Sequence, residues 1–185
     1  MIVVNLFGAP GAGKSTGAAY VFSKLKLHGV NAELVTEYAK DKVWEGSSEV
    51  FKNQAYIFGK QYYRISRLDS KVDVVVTDSP ILNSALYNDS ALLGSDFDKV
   101  VRNVFDSYEN INYYVSRDKP YNPAGRHQTQ DQSDRLAKVF RQQLSIMRVP
   151  YRNIKGNQQD YDRVVSDVLN RLHNPPQKHS EVDYE

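Results

Sequence analysis

Residues 2–16 read Ile2-Val3-Val4-Asn5-Leu6-Phe7-Gly8-Ala9-Pro10-Gly11-Ala12-Gly13-Lys14-Ser15-Thr16, an apolar run followed by a glycine-rich turn. The turn matches the pattern G-x-x-x-x-G-K-[ST]. Glycines let the backbone turn sharply and approach phosphate oxygens closely, so that successive N–H groups form an anion-binding nest. Residues 8–16 are therefore predicted to bind the phosphates of a nucleoside triphosphate, ATP or GTP, together with Mg²⁺.

Two side chains in this turn are suited to phosphate and metal. Lys14 is predicted to place its charge on the β- and γ-phosphates, and the Ser15 hydroxyl to occupy one Mg²⁺ position. The helix predicted over residues 14–28 presents its positive N-terminal end to the same anion. An ordinary glycine-rich turn is the alternative, and the apolar strand before the turn and the helix after it argue against that alternative.

Apolar runs alternate with helical periodicity along the rest of the chain. We predict strands at residues 2–7, 32–36, 72–77, 112–116 and 151–154, and helices at 14–28, 49–68, 95–108, 133–147 and 158–172. This alternation predicts an α/β three-layer sandwich, a parallel sheet of about five strands flanked by helices. Residues 1–173 are expected to form one domain, and residues 174–185, which contain Pro-Pro, a disordered tail.

Composition narrows the class of protein. The 185 residues include 24 basic and 22 acidic side chains, a net charge of +2, and no cysteine. Disulfides, thiolate metal sites and a cysteine nucleophile are thereby excluded, and a DNA partner is not indicated by charge. No stretch approaches the roughly 20 apolar residues that cross a bilayer, and no signal sequence is evident, so we expect a cytoplasmic protein without a membrane partner.

Two carboxylates follow predicted strands, where ligands of a parallel sheet bind. Asp78 ends the apolar run Val74-Val75-Val76-Thr77 and is predicted to hold Mg²⁺ through water or to contact substrate; a turn or helix-capping aspartate is the alternative. Glu37 follows the second strand and is predicted to accept a proton from an attacking hydroxyl. A surface glutamate at a helix start is the alternative for Glu37.

Other candidates lie on the long predicted helix and on the loop after the fourth strand. Gln54 stands among aromatic residues and could pair with the edge of a base, although most of those aromatics are expected in the core. The segment 117–129 is polar, holds two prolines and has no periodicity. Three arginines lie in or near it, Arg117, Arg126 and Arg135, and at least one of them is predicted to contact phosphate from a closing lid, the alternative being a solvated loop.

These motifs together resemble the P-loop nucleoside and nucleotide kinases, and most closely an AAA-like subgroup with ribosylnicotinamide kinase domains and small phage-encoded kinases. The resemblance implies a mobile lid, at about residues 117–133, and ATP as phosphoryl donor. It also implies Glu37 as the base and Gln54 as the residue that reads the nucleobase. It rests on residues 8–16, 35–40 (Val35-Thr36-Glu37-Tyr38-Ala39-Lys40), 51–54 and 75–80, and on the span 117–135.

One departure from this group concerns the third strand. Many members carry an acidic residue followed by arginine there, whereas this chain reads Thr77-Asp78-Ser79. Lys40 stands where the subgroup often has arginine and is a candidate basic partner for the catalytic carboxylate. Tyr38 and Lys40 are accordingly expected beside the substrate, together with Arg126 and Arg135.

We therefore predict a kinase that transfers the γ-phosphate of Mg²⁺–ATP to a nucleoside or nucleotide. Two alternatives remain open at this point. One is a kinase that acts on a hydroxymethylated base or an end of DNA, and the other is a small ATPase or nucleotide switch without a small-molecule acceptor.

Overall fold

The computed structural model describes residues 1–88, 90–124 and 128–175, which contain a five-stranded parallel sheet in the order β2-β3-β1-β4-β5. Every pair of neighbouring strands is parallel, with Val3 opposite Val75 on one side of β1 and Asn110 on the other. The predicted α/β P-loop fold is confirmed. The strands are β1 (Ile2–Phe7), β2 (Ala32–Val35), β3 (Val74–Thr77), β4 (Glu109–Ser116) and β5 (Arg152–Lys155).

Helices connect successive strands and cover both faces of the sheet, as parallel crossovers require. Each described helix is too short or too polar to cross a membrane. A short 3-10 helix, Ser48–Lys52, precedes α3. The α-helices are α1 (Lys14–Leu27), α2 (Tyr38–Trp44), α3 (Gln54–Ser66), α4 (Asn83–Leu86), α5 (Ser90–Asp106), α6 (Gln130–Ile146) and α7 (Gln158–His173).

Strand β1 divides the hydrophobic core into two clusters because successive side chains point to opposite faces of a sheet. Val4 and Leu6 pack with apolar residues of α1 and α7, while Val3 and Phe7 pack with residues of α3, α5 and α6. All six residues of β1 are buried. A central strand buried on both faces fixes the turn that follows it, and this turn is the predicted phosphate site.

The helix predicted over residues 49–68 is wrong in its first part. Residues 48–52 form the 3-10 helix, and Asn53, with φ −116° and ψ 84°, interrupts the helical backbone. The Asn53 side chain then accepts a hydrogen bond from Tyr56 N and caps α3. An asparagine that competes with the helix backbone for hydrogen bonds therefore sets this boundary.

Other boundaries shift for local reasons. Helix α2 was not predicted from the sequence, and α5 begins earlier than predicted but breaks at Gly94, whose φ is 68°. Helix α6 begins at Gln130, with a capping box between Thr129 and Gln132, so the predicted lid range 117–133 includes its first turn. Residues 176–185 of the predicted tail and Arg126 lie outside the described residues.

Candidate active site

The glycine-rich turn joins the end of β1 to the start of α1. Gly8, Gly11 and Gly13 have φ of 142°, 81° and 107°, which side chains disfavour. A Cβ on Gly8 would also lie 2.6 Å from the Val115 carbonyl oxygen on the neighbouring strand. The turn therefore requires glycine both for its backbone angles and for its close approach to β4.

The turn places its charged residue and its hydroxyls at the N-terminal end of α1. Lys14 Nζ donates hydrogen bonds to the carbonyl oxygens of Gly8 (2.7 Å) and Ala9 (3.1 Å), so the ammonium group lies within the turn. Ser15 and Thr16 are exposed. The first N–H groups of a helix have no partner within it, and with the helix dipole they favour an anion at this point.

Sequence reasoning missed Tyr161, an aromatic residue of α7 that supports the turn from behind. Its hydroxyl donates to the Gly13 carbonyl at 3.0 Å, and a Cβ on Gly17 would lie 2.4 Å from its ring atom Cε1. A glycine in a helix interior is unfavourable by about 1 kcal/mol relative to alanine. Gly17, four residues after Gly13, is the sequence signal for such a close contact.

Glu37 lies between β2 and α2, at the carboxyl edge of the sheet. Its backbone N–H donates to Asp78 Oδ1 at 3.0 Å, which ties the end of β2 to the end of β3. Burial raises the pKa of the Glu37 carboxyl; Lys14 opposes this rise, Asp78 adds to it and Lys40 opposes it. The carboxyl is therefore held near two cations in a site that disfavours its charge.

A cavity of about 630 Å³ opens between these elements. Its lining unites the glycine-rich turn with three of the other predicted residues, Glu37, Lys40 and Gln54. Gln54 Nε2 donates to the Phe51 carbonyl at 3.2 Å. A cavity of this size is typical of small-molecule sites.

Several predicted residues lie outside the lining of this cavity. Asp78 is 2% exposed and contacts the site through the backbone of Glu37. Tyr38 is buried, and its hydroxyl shares a 2.8 Å hydrogen bond with that of Tyr56. Arg135 is exposed on α6. The positions of Asp78 and Tyr38 favour support of the site over direct contact with a ligand.

The loop between β4 and α6 contributes Lys119, Ala124 and Gln128 to the cavity lining. Arg117, by contrast, is ion-paired with Asp134 and lies over the Tyr121 ring, with its guanidinium carbon 5.4 Å from the ring centroid. Lys119, which sequence reasoning did not select, is thus the loop cation that borders the cavity among the described residues.

The first turn of α6 is attached to the glycine-rich turn. The hydroxyl of Ser133, 1% exposed, donates to the Pro10 carbonyl at 2.7 Å. The predicted lid is therefore anchored at its C-terminal end to the backbone of the predicted phosphate site.

Residues from the segment after β3 complete the cavity wall, and sequence reasoning missed them as well. Among the described residues, the buried Oδ1 of Asn83 accepts no hydrogen bond. Tyr87 packs edge-on against Phe140, with centroids 5.0 Å apart, and burial followed by the nearby Glu37 charge raises its pKa. Asn83, Ser84 and Tyr87 all line the cavity, as the turn that follows β1 does.

A glycine-rich turn between a central parallel strand and a helix, at the carboxyl edge of a sheet ordered β2-β3-β1-β4-β5, defines a P-loop protein. A family model described as an AAA domain matches residues 3–161, and the chain belongs to that family. No curated protein matches the sequence significantly.

Among solved structures, the chain is similar to one described as deoxyadenosine kinase from M. mycoides with bound dATP. The TM-score is 0.57 at 18% identity, and the match covers 92% of this chain and 99% of that chain. The resemblance to P-loop nucleotide kinases that the sequence motifs predicted is confirmed at the level of the fold.

Proposed function

We propose that the protein is a phosphotransferase that moves the γ-phosphoryl group of Mg²⁺–ATP to a nucleoside or nucleotide. The observation that carries this proposal is the shared cavity, whose lining includes residues of the P-loop (8–16) together with Glu37, Gln54 and Asn83. Phosphoryl transfer to a hydroxyl needs a donor site and a carboxylate base within one cavity.

On the donor side, residues 8–16 would hold the phosphates and Lys14 would neutralise the β- and γ-oxygens. Ser15 and Asp78 would hold Mg²⁺, Asp78 through water, since its Oδ1 already accepts a hydrogen bond from Glu37 N. The described residues contain no group of three or more His, Cys, Asp or Glu placed to hold a metal ion by themselves, so phosphates and water would supply most of the ligands of Mg²⁺. When bound, Mg²⁺ would supply positive charge that neutralises the charge developing on the phosphates.

On the acceptor side, the Glu37 carboxylate would take the proton of the attacking hydroxyl. The acceptor oxygen forms a bond to the γ-phosphorus, the bond from that phosphorus to the β–γ bridging oxygen breaks, and ADP leaves. A raised pKa makes Glu37 a stronger base than an exposed glutamate, and Lys40 borders the same cavity as its cationic neighbour.

Recognition of the acceptor base would use the amides in the cavity wall. Gln54 and Asn83 both line the cavity, and a side-chain amide can pair with the edge of a base. Tyr87 lines the same wall and offers an aromatic surface. Tyr38 would contribute through its backbone and packing, because its hydroxyl is paired with Tyr56.

Cations from the lid would stabilise the charge on the transferring group. Lys119 borders the cavity, whereas Arg117 would have to exchange Asp134 for phosphate. Arg126 and Arg135 remain candidates from the sequence for the same role. A lid that closes over the cavity would also exclude water and so suppress hydrolysis of ATP.

The test is a transfer assay with γ-labelled ATP and Mg²⁺ against separate pools of nucleosides, nucleoside monophosphates and DNA. Label is expected in a nucleoside or monophosphate, with Lys14→Ala as the inactive control and Lys26→Ala, an exposed change on α1, as the active one. Label found only in DNA would mean that the acceptor is DNA and not a nucleoside or nucleotide. Release of inorganic phosphate, with no labelled acceptor in any pool, would overturn the proposal in favour of an ATPase.

A further inference from the structure

Gln61 is a buried amide on α3 that no step of the proposed reaction uses. It is 3% exposed, and Ile65 is the other buried residue of that helix. Burying an amide is costly unless its donors and acceptor are paired. All of its described polar contacts go to the segments that follow β2 and β3, which contain Glu37 and Asp78.

Three hydrogen bonds link Gln61 to these strand ends. Its Oε1 accepts from Tyr38 N at 3.0 Å, and its Nε2 donates to the carbonyl oxygens of Ser79 (3.2 Å) and Thr36 (3.4 Å). Gln61 thus contacts the residue before Glu37 and the residue after it. It also contacts the residue that follows Asp78.

The hydrogen bonds of Gln61 affect Glu37 because Glu37 stands at the start of α2. Glu37 is the N-cap of α2, a position where the side chain ordinarily accepts a hydrogen bond from the first turn, yet its carboxyl makes no capping hydrogen bond. Instead, Asp78 Oδ1 accepts the N–H of Glu37 and Gln61 Oε1 accepts that of Tyr38. Asp78, which directly follows β3, and Gln61 on α3 thereby supply acceptors for the first N–H groups of α2.

We propose that Gln61 is a positioning residue for Glu37: by capping α2 from outside, it keeps the Glu37 carboxyl directed into the cavity. This inference rests on the proposed function, in which Glu37 is the base. With Gln61 removed, the Tyr38 N–H loses its acceptor and the Thr36 carbonyl loses a donor, so the backbone on both sides of Glu37 loses a hydrogen bond to α3. Displacement of a reacting group by about 1 Å is enough to lower a rate about 10²-fold.

The first experiment separates turnover from binding. In Gln61→Leu, kcat is expected to fall about 10²-fold while KM for ATP stays within about 2-fold, because the P-loop is untouched. The control is Asn112→Leu, which removes another buried amide, bonded to Asn5 and to the Pro150 carbonyl, away from the cavity. Its kcat should fall only in proportion to any loss of folded protein, measured by circular dichroism.

The second experiment is a double-mutant cycle with Glu37→Gln. If Gln61 acts through the Glu37 carboxylate, Gln61→Leu should lower kcat of the Glu37→Gln enzyme by less than about 3-fold, although it lowers that of the wild-type enzyme about 10²-fold. A role in stability alone would give the same fold-change in both backgrounds. Gln61→Glu, which keeps an acceptor for Tyr38 N, should retain more activity than Gln61→Leu, and it carries the cycle if Gln61→Leu does not fold.

The outcomes distinguish this inference from the proposed function. Equal fold-changes in both backgrounds, or losses matching Asn112→Leu, would overturn the positioning role and leave the kinase proposal intact. If the single variant Glu37→Gln keeps the kcat of the wild-type protein, Glu37 is not the base and Gln61 has no positioning role. Failure of the wild-type protein to label any acceptor would end the proposed function before the cycle begins.

Discussion

Replacement of Lys14 should affect phosphoryl transfer far more than it affects the stability of the fold. The Lys14 Nζ donates to the backbone carbonyl oxygens of Gly8 and Ala9, which follow directly on the buried strand β1. Lys14→Ala should therefore lower phosphoryl transfer by at least about 10³-fold, as loss of a charged phosphate contact does, and shift the melting temperature little. Steady-state kinetics and a thermal melt measure the two effects, and a transfer rate equal to that of Lys26→Ala would contradict the assignment.

Glu37 gives a prediction about stability as well as turnover. Because the folded state raises the pKa of this carboxyl, its protonation stabilises the fold below the ordinary glutamate pKa, and this stabilisation is lost as pH rises through the raised value. Glu37→Gln carries no charge to desolvate. The variant should melt above the wild-type protein at neutral pH, and the difference should vanish below about pH 4. Equal melting temperatures at both pH values would show that the site accommodates the charge.

At the scale of elements, the contact between α1 and α7 distinguishes two helix glycines. An alanine methyl at Gly17 would lie 2.4 Å from the Tyr161 ring, whereas one at Gly59 on α3 would meet nothing within 4 Å. Gly59→Ala should stabilise the protein by about 0.5–1 kcal/mol, the usual gain in a helix, and Gly17→Ala should destabilise it despite the same gain. Denaturant unfolding of both variants measures this, and stabilisation by both would show that Tyr161 gives way freely.

The elements that the sequence predicts best are those whose signal is local. Val74-Val75-Val76-Thr77 is buried throughout, so its apolar run alone marks a central strand. The boundary at Asn53 and the short helix α2 depend on hydrogen bonds to Tyr56, Asp78 and Gln61. Partners up to 41 positions away leave no periodicity in the sequence, which is why α2 was missed.

At the scale of the whole molecule, the strand order decides which predicted site residues meet. The P-loop follows β1, Asp78 follows β3 and Glu37 follows β2. These three strands are neighbours in the sheet, so the residues that follow them meet at one edge, as expected from motifs at strand ends. Residues held by long-range side-chain contacts could not be found from motifs. Asn83 and Tyr87 carry no motif, and the pairing of Arg117 with Asp134 depends on how the loop folds onto α6.

The ion pair between Arg117 and Asp134 joins the predicted lid to α6. The Arg117–Asp134 pair is partly exposed, with half of the Asp134 side chain accessible (50%), and such pairs contribute about 0–1 kcal/mol. Two parallel hydrogen bonds from a guanidinium to a phosphate are stronger. Arg117 should therefore exchange Asp134 for the transferring phosphoryl group when the lid closes.

A comparison of Arg117→Ala with Asp134→Ala tests this exchange, because the two variants break the same ion pair. If Arg117 reaches phosphate, Arg117→Ala should lower kcat by about 10²-fold, as loss of one charge-stabilising donor does. Asp134→Ala, which only releases the arginine, should keep kcat within about 3-fold, since a partly exposed pair contributes little. Equal losses in the two variants, measured with saturating ATP and acceptor, would mean that the arginine shapes the loop and that Lys119 is the described lid cation left to stabilise the transferring group.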